Sequence, residues 1–153
     1  MLSQKTRYAL KALTYLASHE KNDKGPLLIS EIAKQGKMPQ KFLEAILLEL
    51  KKLGILQSRK GKGGGYLLGK NSEEIKLGAV IRAMEGPLAL LPCVSHMAYR
   101  KCDECVDENT CGLRTLFKEV RDATAQILDN TSLAKVVAVE EQIHKSKSQM
   151  YFI

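Results

Sequence analysis

Four cysteines fall within nineteen positions of this chain, at Cys93, Cys102, Cys105 and Cys111, in the pattern C-x8-C-x2-C-x5-C. The second half, Cys-Asp-Glu-Cys-Val-Asp-Glu-Asn-Thr-Cys, is polar and acidic. Cysteines that serve as small core hydrophobes sit on apolar stripes, and these do not. Three chemistries suit them. Iron–sulfur clusters take thiolates from irregular loops with mixed spacings of this kind. A thiol switch needs an exposed pair, for which Cys102 and Cys105 are candidates. Structural zinc favours two paired knuckles, and only one C-x2-C is present. Four thiolates beside Asp103, Glu104, Asp107 and Glu108 repel one another unless a metal compensates. His96 lies in the same segment and could replace a cysteine as ligand, although loop histidines are more often solvated.

A second set of residues suits a polyanion. Gln57–Leu68 reads Gln-Ser-Arg-Lys-Gly-Lys-Gly-Gly-Gly-Tyr-Leu-Leu. Apolar residues on both sides of a glycine-rich tip give a hairpin, and Arg59, Lys60, Lys62, Gly63 and Gly64 form its cationic end. A nucleotide-binding loop would run into a helix through Gly-Lys-Ser/Thr, whereas this stretch runs into a strand. The segment before it, from Pro39 to Leu53, is an amphipathic helix with Phe42, Leu43, Ile46, Leu47, Leu50 and Leu53 as its buried stripe. Pro39 suits the first helical position. Gln40, Lys41 and Glu44 remain at the exposed N-terminal end. A helix followed by a basic hairpin is how a winged helix-turn-helix meets DNA, with the helix in the major groove and the wing on phosphates. Gln and Lys can read base edges from such a helix. An ordinary glycine turn and a solvated helix end are the bland alternatives.

Charge supports the DNA reading. The chain has 153 residues and a net charge of +7, with 24 Lys+Arg against 17 Asp+Glu. Residues 1–70 hold 14 cationic and 5 acidic side chains, and residues 71–153 hold 10 and 12. The whole positive surplus therefore lies in the part with the helix and hairpin, as a nucleic-acid-binding half requires.

The remaining elements must position these two sets. Ser3 caps a first helix, Gln4–His19, whose Lys5, Arg7 and Lys11 could reach phosphate. Ser30 is expected to cap a short second helix ending at Gly36, and it joins the candidate DNA contacts. Leu77, Val80, Ile81 and Met84 give a fourth helix, stopped at Gly86-Pro87. Residues 85–110 show no sustained period, and a connection this long should be functional or disordered. Leu113, Phe117, Val120, Thr124 and Ile127, with Leu116 and Ala123 alongside, make a coiled-coil-like seam expected to form a two-fold dimer interface. Ser132 begins a last helix with Leu133, Val136, Val137 and Ile143 inward, and residues 144–153 are expected to fray.

The expected fold is mainly α with a small β-hairpin wing: a winged helix-turn-helix over residues 1–86, a cysteine-bearing sensor loop over 87–111, and a long dimerisation helix with a C-terminal helix over 112–153. No apolar run reaches the roughly 18 residues of a membrane span and no apolar signal region opens the chain, so a cytoplasmic location is expected. No base–nucleophile pairing can be read, so the chain is expected not to be an enzyme. An electron-transfer or metal-handling enzyme whose basic half binds an acidic partner protein is the alternative from another class.

The opening Leu-Ser-Gln-Lys-Thr-Arg-Tyr-Ala-Leu, the wing Arg-Lys-Gly-Lys-Gly-Gly-Gly-Tyr-Leu-Leu-Gly, and the cysteines between helix four and a long helix resemble the IscR/NsrR/CymR family of bacterial regulators. The resemblance covers essentially the whole chain. It implies a dimeric winged-helix transcription factor, most often a repressor, on a double-stranded DNA operator. Several members bind an iron–sulfur cluster and sense iron–sulfur status, nitric oxide or redox state. By position the resemblance puts Gln40, Lys41 and Glu44 on the recognition helix and Lys60, Lys62 and Gly63–Gly65 on the wing. It puts Cys93 and Cys111 at the first and last cluster cysteines. Two ligand positions of relatives hold arginine here: Arg114, three residues past the last cysteine, and Arg7 in place of an N-terminal acid. Both departures favour an all-cysteine site at Cys93, Cys102, Cys105 and Cys111. A 2Fe-2S cluster is expected, with 4Fe-4S as the alternative cofactor and a metal-free thiol/disulfide sensor as the alternative function.

Overall fold

The computed structural model describes residues 1–22 and 24–150. The first helix, α1 (Gln4–Lys21), is the post around which the rest packs. Ala9, Ala12, Leu13, Leu16 and Ala17 recur at helical spacing and are all buried. Ser3 caps α1, its Oγ accepting from the Thr6 N–H at 3.2 Å.

The stripe of α1 is met by Ile32 and Ala33 from α2 (Ile29–Gly36) and by Leu43, Ile46, Leu47 and Leu50 from α3 (Gln40–Lys52). Leu56 and Leu68 join this core from a hairpin of β1 (Leu56–Arg59) and β2 (Gly65–Leu68). The strands are antiparallel, pairing Leu56 with Leu68 and Arg59 with Gly65. Leu27 extends the sheet by one bridge, exchanging backbone hydrogen bonds with Tyr66 at 2.9 and 2.7 Å. Gly65 makes this possible: its φ is +145°, and a Cβ there would collide with the Leu27 backbone. Helix, turn, helix and hairpin in this order form a winged helix-turn-helix.

Helix α4 (Leu77–Glu85) ends at Gly86 and leads into the long connection. That connection holds one 3-10 turn, Pro92–Val94, and otherwise bends and turns. Two long helices follow, α5 (Gly112–Asp129) and α6 (Leu133–Met150). Ser132 caps α6, accepting from the Lys135 N–H at 3.2 Å. The corner between the two helices is stitched to the start of α4 by Leu77 N–H to Thr131 O at 2.9 Å and Leu133 N–H to Ile75 O at 3.0 Å. This brings α6 back against α1, where Leu133 and Val137 complete the core.

Several details differ from the sequence expectations. Ser30 does not cap α2. It lies inside the first turn, and the Leu28 N–H is taken instead by the Glu31 carboxylate at 2.8 Å. Lys37, not Gly36, turns left-handed after α2 (φ 50°), and the Met38 side chain folds back over Gly36. Pro39 is the cap of α3 rather than its first helical residue. Phe42 and Leu53 are exposed, not core, and Phe42 rests edge-on against Tyr8 with ring centroids 5.8 Å apart. In α6, Ile143 is exposed rather than inward. The helix continues through residue 150, and expectations for residues 151–153 lie outside the described residues.

Candidate nucleic-acid interface and cysteine loop

The set suited to a polyanion lies on the elements to which the sequence pattern assigns it. Gln40, Lys41 and Glu44 are exposed on the first turns of α3, with Pro39 beside them. Ser30 is exposed on α2 and Arg7 on α1. The strands of the hairpin lift Arg59, Lys60, Lys62 and Gly63 into solvent, with Gly64 half-buried at the base of the tip. Among the described residues, none of these cations forms an ion pair within the chain. Unneutralised charge held on a short, paired hairpin is free to displace counterions from a phosphate backbone. By contrast Lys5 is occupied by Glu49 at 2.7 Å, which ties α1 to α3. Lys51 Nζ donates to Ser58 Oγ at 2.6 Å, which ties α3 to the hairpin.

The cysteines divide into unlike environments. Cys93 is 5% exposed in the 3-10 turn, against the expectation that none is buried. Its local run, Leu-Leu-Pro-Cys-Val, is apolar enough to tuck inward. Cys102 is exposed, and Cys105 and Cys111 are half-buried; all four are free thiols. Desolvation raises the Cys102 thiol above its ordinary range, helped by the nearby Cys93 thiol and by Cys105 and Glu104. A tight turn brings Cys105 N–H to Cys102 O at 3.2 Å. Cys111 is the cap of α5, its Sγ accepting from the Arg114 N–H at 3.5 Å. Among the described residues, no three His, Cys, Asp or Glu side chains converge into a ready metal cage. Four thiols match an iron–sulfur cluster in kind and number, but the structure leaves them spread along the loop, the last at the head of α5. His96 faces Asp122 at 3.9 Å rather than the thiols.

Sequence reasoning missed the polar fastenings that hold this loop. Arg121 is 8% exposed and is the one residue of α5 buried by its own chain. Its Nη1 donates to the Val94 carbonyl, and its Nε to Asp122 Oδ1 at 2.8 Å. Arg82 of α4 holds Asp129 of α5 through two bonds of 2.6 and 2.9 Å. Tyr99 Oη donates to Glu108 at 2.7 Å, closing the loop on itself. At the loop's start, Glu85 accepts from the Ser3 backbone at 2.6 Å. Hydrogen bonds from the Ser3 side chain, then Thr6 and the Ser3 backbone, hold that carboxyl down at about 2. Arg121 lies in the inward series Phe117, Arg121, Thr124 and Leu128, but its burial follows from the loop that folds over it.

The opposite stripe of α5 is Leu113, Leu116, Val120, Ala123 and Ile127, spaced three-four-three-four, and all five are exposed. Leu116 is 60% and Val120 47% accessible. Phe117 and Thr124, expected in this seam, turn partly toward the chain's own body.

The chain matches the Rrf2 family, described as iron-dependent transcriptional regulators, over residues 2–139. It is 41% identical over 139 residues to an HTH-type regulator of Rhodobacter capsulatus described as rrf2-like, covering 90% of this chain and 93% of that protein. Among solved structures it is similar to CymR (YrzC), the global cysteine regulator of B. subtilis, with a TM-score of 0.75 and 27% identity over 91% of this chain and 97% of that one. It is similar also to T. potens IscR, with a TM-score of 0.72 and 27% identity over 94% and 90% of the two chains.

Proposed function

This chain belongs to the Rrf2 family of transcriptional regulators, and from that premise we propose that it is a homodimeric DNA-binding regulator, acting most often as a repressor, whose cysteine loop holds an iron–sulfur cluster and sets operator affinity. The observation that carries the DNA part is the hairpin tip, where Arg59, Lys60 and Lys62 stand exposed and, among the described residues, without an acidic partner, directly after a helix offering Gln40, Lys41 and Glu44. Phosphate contacts from the wing and from Arg7 and Ser30 would fix register, and Gln40, Lys41 and Glu44 would read base edges. A second copy of the chain is the natural cover for the outer stripe of α5. Such a stripe buried against its two-fold mate sets the spacing of two recognition helices, which must match half-sites about one helical turn apart.

In the sensor loop, Cys93, Cys102, Cys105 and Cys111 would hold the cluster, with 2Fe-2S favoured and 4Fe-4S the alternative. Bound, it would supply a node sensitive to oxidants, nitric oxide and iron supply. The chain's own part is to orient those thiols: Cys93 from a buried turn, Cys111 from the head of α5, Cys102 and Cys105 from a hydrogen-bonded turn between them. Coupling of 1–3 kcal/mol, typical for allosteric linkage, would change affinity about 5- to 150-fold. The residues 1–86, 87–111 and 112–153 then divide the work into DNA binding, sensing and dimerisation.

A second reading is a metal-free thiol switch at Cys102 and Cys93, two thiols near enough that Cys93 helps push the Cys102 thiol up. These two can close a disulfide without metal: a peroxide takes two electrons and two protons from the pair and leaves as two waters. Anaerobic purification with iron and acid-labile sulfide analysis separates the readings. Iron and sulfide bound in stoichiometric amounts support the cluster. Colourless protein that forms a Cys93–Cys102-linked peptide under mild peroxide supports the thiol pair.

A further inference from the structure

Helix α5 faces two ways within one turn. Val120 points into solvent on the stripe assigned to the second copy, and the next residue, Arg121, is buried against the cysteine turn. A buried guanidinium is tolerated only when its donors are satisfied, and a lone unsatisfied one is strongly unfavourable. Here Asp122 takes the Nε side and the Val94 carbonyl takes Nη1. Val94 follows Cys93 directly.

The segment that carries Cys93 is closed on itself. Val94 N–H bonds to Leu91 O at 3.2 Å, Ser95 N–H to Pro92 O at 3.1 Å, and Arg100 N–H to Pro92 O at 3.2 Å. Ser95 Oγ accepts from the Ala98 N–H at 2.9 Å. A segment braced in this way moves as a unit, and among the described residues the hydrogen bond that joins its backbone to α5 comes from Arg121. A leucine at position 121 could fill the space but could not grip a carbonyl. A lysine could grip it with one donor, without the fork that Asp122 holds in place.

We propose that Arg121 is the positioning residue that couples the two halves of the sensor: it clamps the Cys93 turn to the same helical turn whose Val120 faces the second copy. The proposal rests on the reading of residues 87–111 as the sensor loop. A change in the bonding of Cys93 then pulls on α5 at the dimer stripe, and a change at the stripe is felt at Cys93.

The test uses full-length, metal-free, reduced protein and follows alkylation of each cysteine by iodoacetamide with peptide mass spectrometry. Arg121→Met should speed alkylation of Cys93 about tenfold, as loss of one charge-assisted hydrogen bond frees the turn to open. Cys111 should change less than about twofold, since its capping bond is untouched. Arg121→Lys should restore most of the protection, which a merely space-filling role would not require. If Arg121→Met fails to fold, Asp122→Asn, at an exposed position, should still speed Cys93 by a few fold. In DNA binding, the ratio of affinities before and after diamide treatment should fall toward one in Arg121→Met while the reduced-state affinity holds. Cys93 alkylation unchanged in both Arg121→Met and Asp122→Asn overturns the proposal. A wild-type affinity ratio of one, with the alkylation effect present, instead overturns the sensor reading and leaves the clamp standing.

Discussion

Removing Lys60 and Lys62 together should flatten the salt dependence of DNA binding. Both side chains are exposed at the hairpin tip and engaged by no acid of the chain among the described residues, so their charge is fully available to phosphate. The replacement leaves the hairpin intact, because the paired residues are Leu56–Arg59 and Gly65–Leu68 and neither lysine belongs to them. Each phosphate contact contributes about 0.9 to the slope of log affinity against log salt. In a two-fold dimer the change removes four contacts, so the slope should become shallower by about 3.6 at most. At roughly 0.1 M salt the same release is worth up to about a 10^3-fold loss of affinity. Fluorescence anisotropy on a labelled duplex from about 0.05 to 0.3 M salt measures both quantities. Specific and random duplexes should weaken alike, since phosphates carry no sequence information. A slope unchanged within about half a unit would remove the wing from the interface.

Replacing Leu116 and Val120 by arginine should yield a monomer by light scattering with unchanged far-UV circular dichroism, because both side chains lie outside the chain's own core; a persistent dimer would place the interface elsewhere. Gly65→Ala should destabilise the chain by about 1–3 kcal/mol in urea unfolding, since position 65 needs a positive φ and has the Leu27 backbone where a Cβ would go. A loss below about 0.5 kcal/mol would contradict that packing. Glu85→Gln tests the pH dependence. The carboxyl is lowered from 4.5 to about 2 in the folded chain, so its contribution is complete above the ordinary value and is lost as pH falls through about 2. The wild type should therefore melt higher than the variant near neutrality, with the gap closing between pH 4.5 and 2; a gap that stays constant with pH would rule this out.

The wing and the helices around it were legible because their signals are local. Glycines within a cationic run between Leu56 and Tyr66 leave a hairpin as the natural conformation, and the stripe Leu43, Ile46, Leu47, Leu50 leaves one face of α3 to bury. Membership of the Rrf2 family bears out the resemblance read from the opening segment and the wing. Legibility failed where distant residues compete. Phe42 has the right spacing for the core, yet Tyr8 from α1 takes it to the surface as a partner. Ser30 is a good cap by type, but the helix already begins at Ile29, so Ser30 lies inside its first turn and the Glu31 carboxylate takes the Leu28 N–H. Arg121 reads as one more charge on a solvated helix until the loop folds over it and presents Val94 O. The burial of Cys93 depends on that same long-range closure and could not be read from the acidic company of the other three cysteines.

The most direct test places the wild-type dimer and a variant with all four cysteines replaced by serine on an operator selected from random duplexes. Each is titrated anaerobically at several salt concentrations, before and after mild oxidation. Steep salt dependence for both proteins, with an affinity that responds to oxidation by about fivefold or more in the wild type alone, is the expected result. A wild type that ignores duplex DNA at low ionic strength, or whose isotherm is indifferent to the state of its thiols, would contradict the coupling of a cationic DNA-binding half to a cysteine sensor.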